Sequence, residues 1–174
     1  MSFFAGFGGQ GIISLGQIWV YMAMEEGKNV TFFPFYGAEK RGGIARAGVI
    51  VSDEEIDSPL VTSPDSVLVM NMDSLPLCEQ MVRPQGLMLI NASLVTVDPG
   101  RKDIRVVKID AQTIAERIGD AKIANMVALG AMARLTGALK LTDTERILRK
   151  FFPESKHRFV PMNLEAIQAG YNGV

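Results

Sequence analysis

Apolar residues recur at spacings of three and four from Ile12 through Leu15, Ile18, Trp19, Met22 and Ala23, which lays one continuous apolar face along a helix over 12–26. Gly27 is expected to end it. On either side the periodicity shortens. Ser2–Ala5 and the β-branched, aromatic run Asn29–Phe35 read as strands, and strand, helix, strand at this spacing is a βαβ opening. Further strands are expected at Ile44–Val51, Ser66–Asn71, Leu87–Asn91 and Ile104–Ile109. The segments SVLVMN and LMLIN are nearly unbroken apolar runs, as in strands covered on both faces. Helices are expected at Asp73–Val82, Ala111–Ile118, Ala121–Leu139, Thr142–Phe152 and Met162–Ala169, with Asp110, Asp120 and Asn163 at N-cap positions. No repeat or long linker divides the chain. Residues 1–174 are therefore expected to form a single α/β domain, a three-layer sandwich with a mostly parallel, Rossmann-like sheet.

Ligands of such sheets sit at the carboxyl ends of parallel strands, here Gly6–Gly11, Tyr36–Gly43, Asn71–Ser74 and Asn91–Ser93. The first of these, GFGGQG, satisfies G-x-G-x-x-G between a strand and a helix, so its glycines permit a tight turn and close approach of an anion to helix-terminal N–H groups. A purely structural turn wants glycine as well. Dinucleotide binding further requires a carboxylate at the end of the second strand, but that end reads Phe32-Phe33-Pro34-Phe35-Tyr36 and the first carboxylate is the late Glu39. NAD is disfavoured on that ground. Gln10 adds an amide that both donates and accepts. In the second loop, YGAEKRGG, glycines bracket a charged trio, presenting Tyr36, Glu39 and Arg41 to a ligand or neighbour, with Arg41 able to clamp a carboxylate or phosphate. A solvated turn is the plainer reading of the same triplet.

The first 24 residues carry no charge. Length alone would allow a membrane span there. Five glycines, two glutamines, no basic residue ahead of the apolar part and no small-residue cleavage pattern argue against both a membrane helix and a signal peptide. Over the whole chain 18 Lys+Arg offset 19 Asp+Glu, excluding a basic nucleic-acid binder. The lone Cys78 allows neither an intrachain disulfide nor a multi-cysteine metal site, and implies a reducing, cytoplasmic compartment. Counting glycine and leaving out tyrosine, about 56% of the chain is apolar against roughly 45–50% for an average soluble domain, and only 21% is charged, enough to hide surface against a partner. The single histidine, His157, has no positioned neighbour for catalysis and reads as a surface residue. Cys78, in an apolar helix, reads as buried and inert.

GFGGQG at 6–11, YGAEKRGG at 36–43, Ser52 with Ile56-Asp57-Ser58-Pro59, Pro64-Asp65, Gly86 with Ile90-Asn91, and Ala124-Asn125-Met126-Val127 with Leu129-Gly130-Ala131 together resemble the gamma subunit of 2-oxoacid:ferredoxin oxidoreductases. Ala38 stands where that family often has proline, and Lys40 varies freely in such loops. The resemblance implies a subunit of a complex that oxidatively decarboxylates a 2-oxoacid, with 2-oxoglutarate favoured over pyruvate or a branched-chain oxoacid, to an acyl-coenzyme A, reducing ferredoxin. It places thiamine diphosphate, magnesium and iron–sulfur clusters on alpha, beta and ferredoxin-like delta partners, with coenzyme A as a possible ligand of this chain. No catalytic residue and no metal ligand is then expected here. Gly6, Gly8, Gly9, Gln10 and Gly11 are the candidate cofactor loop, and Tyr36, Gly37, Glu39, Arg41, Gly42, Gly43, Asn91 and Asn125 the candidate substrate or partner contacts. A free-standing dinucleotide- or flavin-binding protein and the related indolepyruvate oxidoreductase beta subunit are the competing readings.

Overall fold

The computed structural model describes residues 1–36 and 43–174, with Tyr36 described in its backbone alone. The described strands β1 (Ser2–Phe7), β2 (Asn29–Tyr36), β3 (Ile44–Ser52), β4 (Ser66–Val69), β5 (Leu87–Asn91) and β6 (Arg105–Ile109) form one sheet ordered β2-β3-β1-β4-β5-β6. β1 pairs parallel with β4, β4 with β5 and β5 with β6. β3 runs antiparallel to both β1 and β2. The sheet is thus mostly parallel, as expected, but the βαβ opening needs correction: β1 and β2 run the same way without pairing, because β3 lies between them. Chain length dictates the antiparallel return of β3 along β2. The segment 37–43 between Tyr36 and Ile44 is too short for a parallel crossover, which takes a dozen or more residues, so the chain must fold straight back.

The helices are α1 (Ile12–Glu25), α2 (Leu75–Met81), α3 (Ala111–Ile118), α4 (Ala124–Thr136), α5 (Thr144–Phe151) and α6 (Val160–Asn172). Strand alternation sorts the core into two layers. Phe4, Leu68, Met70 and Leu89 point toward α1, α3 and α4, with Trp19 of α1 meeting Phe4 edge-on at 5.7 Å between ring centroids. Phe3, Ala5, Val67, Val69, Met88 and Ile90 point the other way, where Leu75 and Cys78 of α2 cover them. Arg101 closes the far end of α2, its guanidinium donating to the carbonyls of Glu79 at 3.0 Å and Val82 at 2.5 Å. Helix cover is therefore unequal on the two faces.

α4 lies between the sheet and α6, and every residue from Ala124 to Ala133 is buried. A helix apolar on all sides belongs there. Its small residues let α6 come to backbone contact: a methyl group on Gly130 would strike the Ile167 carbonyl oxygen, and one on Gly170 that of Val127. α4 is shorter than the expected Ala121–Leu139, since 121–123 form a 3-10 turn and Gly137 ends the helix. Asp120 caps that turn, its side chain accepting from the Lys122 N–H at 2.9 Å.

Asn163 is not an N-cap. Pro161 in the first turn pre-sets helical φ and starts α6 at Val160, leaving Asn163 inside, where its Nδ2 donates to the Phe159 carbonyl at 2.7 Å. β4 stops at Val69 rather than Asn71 because the Asn71 side chain turns to cap the next segment, accepting from the Ser74 N–H at 3.2 Å. His157 is half-buried rather than on the open surface, with Nε2 at 2.9 Å from the Arg149 carbonyl and 3.0 Å from that of Phe152, at the carboxyl end of α5. No described helix is long and apolar enough to cross a membrane.

Two outcomes follow from this packing. Gly130→Ala or Gly170→Ala, each driving a methyl into a backbone carbonyl, is expected to destabilise the fold by about 2–3 kcal/mol in urea unfolding, despite alanine's better helix propensity. Burial pushes the Cys78 thiol up to about 12. It is expected to resist a thiol-reactive disulfide reagent at pH 8 in the native state and to react fully in denaturant.

Candidate functional site

Four segments meet at the carboxyl end of the parallel strands: the glycine loop after β1, the start of β3, the end of β4 and the amino end of α4. The glycine loop is an ordered turn. Gln10 N–H donates to the Phe7 carbonyl at 3.1 Å, Phe7 N–H donates to Gln10 Oε1 at 2.6 Å, and Gln10 Nε2 reaches the Met70 carbonyl at 3.2 Å. The Gln10 amide therefore both donates and accepts, but toward the chain itself. It pins the loop to the end of β4.

The glycines divide by cause. A Cβ on Gly6 would lie 2.6 Å from Gln10 Oε1 and 2.9 Å from both Ile12 and Met70, so that position has no room. Gly9 and Gly11 have φ of 101° and 72°, in the left-handed region that favours glycine. Gly11 is doubly constrained, because a side chain there would strike Asn125 Nδ2. Gly8 has neither requirement. Its φ is not positive, and the one described atom within 4 Å of an added Cβ is the Gly43 carbonyl oxygen, at an ordinary 3.5 Å. Among the described residues, nothing at position 8 requires glycine.

Asn125 is 6% exposed, and its Nδ2 donates to the Gly11 carbonyl at 3.1 Å. That carbonyl also accepts from Leu15 N–H at 2.9 Å as the first intrahelical bond of α1. Asn125, a candidate contact residue in the sequence, here binds the backbone of the glycine loop. Gly8 N–H donates to the Gly43 carbonyl at 2.9 Å, which brings the described end of the second loop against the first. Asn91, at the end of β5, is 0% exposed, with both side-chain polar atoms unpartnered among the described residues, and it lies behind the surface rather than on it. Gly37, Glu39, Arg41 and Gly42 lie outside the described residues.

α1 begins without a capping side chain and with no acidic residue in its first turn. The positive end of the helix is left for an anion. Beside it a cleft of about 200 Å³ is lined by Gly9, Gln10, Met70, Gln112, Lys122 and Ala124, with one cation, two amides and no carboxylate among its described lining. A second cleft of about 410 Å³ shares Lys122 and continues past Ser14 and Asn125 to Lys156. Lys122 and Gln112 escaped the sequence reading. The available signal was Lys122 itself, the one cation between Arg117 and Arg134, placed two residues after a capping aspartate. Among the described residues, no group of three or more His, Cys, Asp or Glu is arranged to hold a metal ion.

Comparison with known proteins gives a consistent picture. The sequence profile of the family described as pyruvate ferredoxin/flavodoxin oxidoreductase matches residues 2–173. Ketoisovalerate oxidoreductase subunit VorA of Methanothermobacter thermautotrophicus is 36% identical over 168 residues, covering 95% of this chain and 34% of that one. The chain thus spans about a third of the length of the VorA relatives it matches. 2-Oxoglutarate synthase subunit KorC of the same organism is 32% identical over 173 residues, covering 95% of this chain and 90% of the relative. Among solved structures, the keto/oxoacid ferredoxin oxidoreductase gamma subunit of Geobacter sulfurreducens superposes with a TM-score of 0.83 at 29% identity, covering 98% and 95% of the two chains. Pyruvate oxidoreductase subunit PORC of Thermotoga maritima gives 0.79 at 30%, covering 98% and 94%.

The division among the glycines is open to measurement. Gly8→Ala is expected to change unfolding free energy by less than about 0.5 kcal/mol, whereas Gly11→Ala and Asn125→Ala each cost about 1–2 kcal/mol or more in urea titrations. Equal losses at positions 8 and 11 would contradict the assignment.

Proposed function

The chain belongs to the pyruvate ferredoxin/flavodoxin oxidoreductase family as a gamma subunit of the 2-oxoacid:ferredoxin oxidoreductases, and from that premise we propose that it receives the phosphate end of coenzyme A in a complex that converts a 2-oxoacid to its acyl-coenzyme A. One observation carries the reading. Gly8 is required neither by backbone conformation nor by described neighbours, and the next two residues, Gly9 and Gln10, line a cleft beside an uncapped helix start in which Lys122 is the one charge among the described lining. Phosphate fits that donor set: the N–H groups of α1 and the Lys122 ammonium donate, and no described carboxylate in the cleft opposes an anion.

Coenzyme A, when bound, supplies the thiol that takes the acyl group after carbon dioxide is lost, and the electron pair released goes to ferredoxin. This chain's part is positioning. The Gln10 and Asn125 bonds hold the loop shape, Gly8 leaves the approach clear, and Arg41 in the adjoining loop is a candidate second anion contact. Oxidative decarboxylation itself is assigned to partner chains, alpha and beta with thiamine diphosphate and magnesium and a ferredoxin-like delta chain with iron–sulfur clusters. A single buried cysteine cannot supply a cluster's thiolates. The relatives are named for 2-oxoisovalerate, 2-oxoglutarate and pyruvate enzymes. 2-Oxoglutarate is the first substrate to try, the KorC relatives being 32% identical against 30% and 31% for PorC relatives of similar coverage.

The test is reconstitution of the full complex with and without this chain, reading oxoacid-dependent ferredoxin reduction with each of the three oxoacids. Omission of the chain is expected to abolish turnover with one of them. Lys122→Ala and Gly8→Val are expected to raise the KM for coenzyme A about fivefold to fiftyfold with the KM for oxoacid unchanged, the loss of one charged contact or of the approach space. Arg41→Ala is expected to lower turnover without altering assembly. Full activity in the absence of the chain would overturn the reading. Tight binding of NAD or FAD, with no response to coenzyme A, would replace it with a free-standing dinucleotide- or flavin-binding role.

A further inference from the structure

The thin face of the sheet, the one under α2, ends in a group of buried polar atoms without partners. Register sets Arg46 of β3 beside Ala5 of β1, and Ala5 beside Val69 of β4. Ala5 and Val69 belong to the layer that packs on Leu75 and Cys78 of α2, so Arg46 rises on that side of the sheet. Its two neighbours in the row differ in size. On β2 stands Phe35, which with Phe33 forms an exposed aromatic pair 4.7 Å between ring centroids. On β1 stands only the methyl group of Ala5, which leaves room for the guanidinium to lie across toward α2. Arg46 is half-buried, its Nε is buried, and its charge reaches Cys78, where it opposes the rise that burial imposes on the thiol.

Ser74 precedes Cys78 by one helical turn and is 0% exposed, and Asn71, two residues past Val69, is 1% exposed. Asn71 Oδ1 accepts from the Ser74 N–H, which fixes the amide and leaves its Nδ2 over. Asn71 Nδ2, Ser74 Oγ and Arg46 Nε all lack a hydrogen-bond partner. Among the described residues no carboxylate lies within 4.0 Å of the Arg46 guanidinium, and Asp73, in the same turn as Ser74, is exposed. Buried donors are costly unless something accepts from them. A water molecule can serve an amide and a hydroxyl, but it does not balance a guanidinium drawn under a helix. We propose that Arg46, Asn71 and Ser74 form a binding site for a small oxyanion, a carboxylate or a phosphate group, on the opposite face of the sheet from the cleft that holds Lys122. The guanidinium offers a planar fork, and the amide and the hydroxyl each add one donor. This site is separate from the proposed coenzyme A contact and does not depend on it.

The test titrates the full chain with inorganic phosphate at constant ionic strength held with chloride, following the side-chain N–H resonances of Arg46 and Asn71 by heteronuclear NMR. Both are expected to shift saturably. Parallel titrations with pyruvate and 2-oxoglutarate show whether a phosphate or a carboxylate binds more tightly. Arg46→Met is expected to weaken the tighter anion at least about tenfold, the loss of the charged fork, and Ser74→Ala about threefold or more. Lys122→Ala should leave the Arg46 titration within about twofold, which separates this site from the cleft at α1. Thermal melting gives a second reading. Without oxyanion, Arg46→Met should melt no lower than the wild type, because it removes a charge that has no partner, and in saturating anion the order should reverse. A shift that does not saturate with any of the three anions would overturn the proposal and leave ordered water as the partner of these atoms. So would an affinity unchanged in both Arg46→Met and Ser74→Ala, or a response that Lys122→Ala abolishes.

Discussion

A side-chain hydrogen bond from the most buried helix holds the glycine loop in place. Asn125, at the start of a helix buried on every side, donates to the carbonyl of Gly11, which is also the first acceptor of α1. That carbonyl therefore ties the first turn of α4 to the start of α1. A buried amide that lost this partner would be left unsatisfied, a loss of about 1–3 kcal/mol, so the bond is strongly favoured and the glycine loop is held in one geometry. Gly11 must be glycine for the same reason: its left-handed φ and the proximity of the asparagine amide each exclude a side chain.

The sheet follows from a different constraint, the shortness of the segment 37–43. It forces β3 to return beside β2, and β3 then occupies the edge of β1 that a parallel neighbour would have used. Parallel growth can proceed only on the other side, through β4, β5 and β6. All the helices but α2 pack on one face, and α4 rises against α6 closely enough that their glycines meet backbone to backbone. The apolar surplus of the composition is spread accordingly. Most of it fills the thick helical face, with Met22, Met70, Met88, Met126 and Met132 buried there or in the sheet, while Met24 and Met72 remain exposed. The aromatic pair on β2 remains at the thin face.

The G-x-G-x-x-G pattern shows where reading residues succeeds and where it stops. The motif identifies a strand-to-helix turn correctly, and the missing carboxylate after β2 is the feature by which the sequence argues against a dinucleotide site. Equal-looking glycines then prove to differ. Gly6 is excluded from bearing a side chain by packing, Gly9 and Gly11 by conformation, and Gly8 by nothing described in the chain. Gln10 has the donor and acceptor capacity expected of it but uses both on Phe7 and Met70. Asn91 is comparably misleading, since an asparagine at a strand's carboxyl end reads as a contact residue yet here is wholly buried.

Sequence alone determined the element types and most of their limits, the α/β class, the loops at the carboxyl end of the strands and the family, because periodicity, turn chemistry and ordered motifs act over short stretches of chain. Helix ends slipped where a local rule competed with another, as when Pro161 started α6 early and Gly137 ended α4. Only the tertiary structure decided that β3 lies between β1 and β2, that Asn125 closes on Gly11 from 114 residues away, and that Lys122 stands beside the glycine loop. Those are relations of register and packing between distant segments. They depend on which surfaces are left after the core has closed, and no local pattern encodes that.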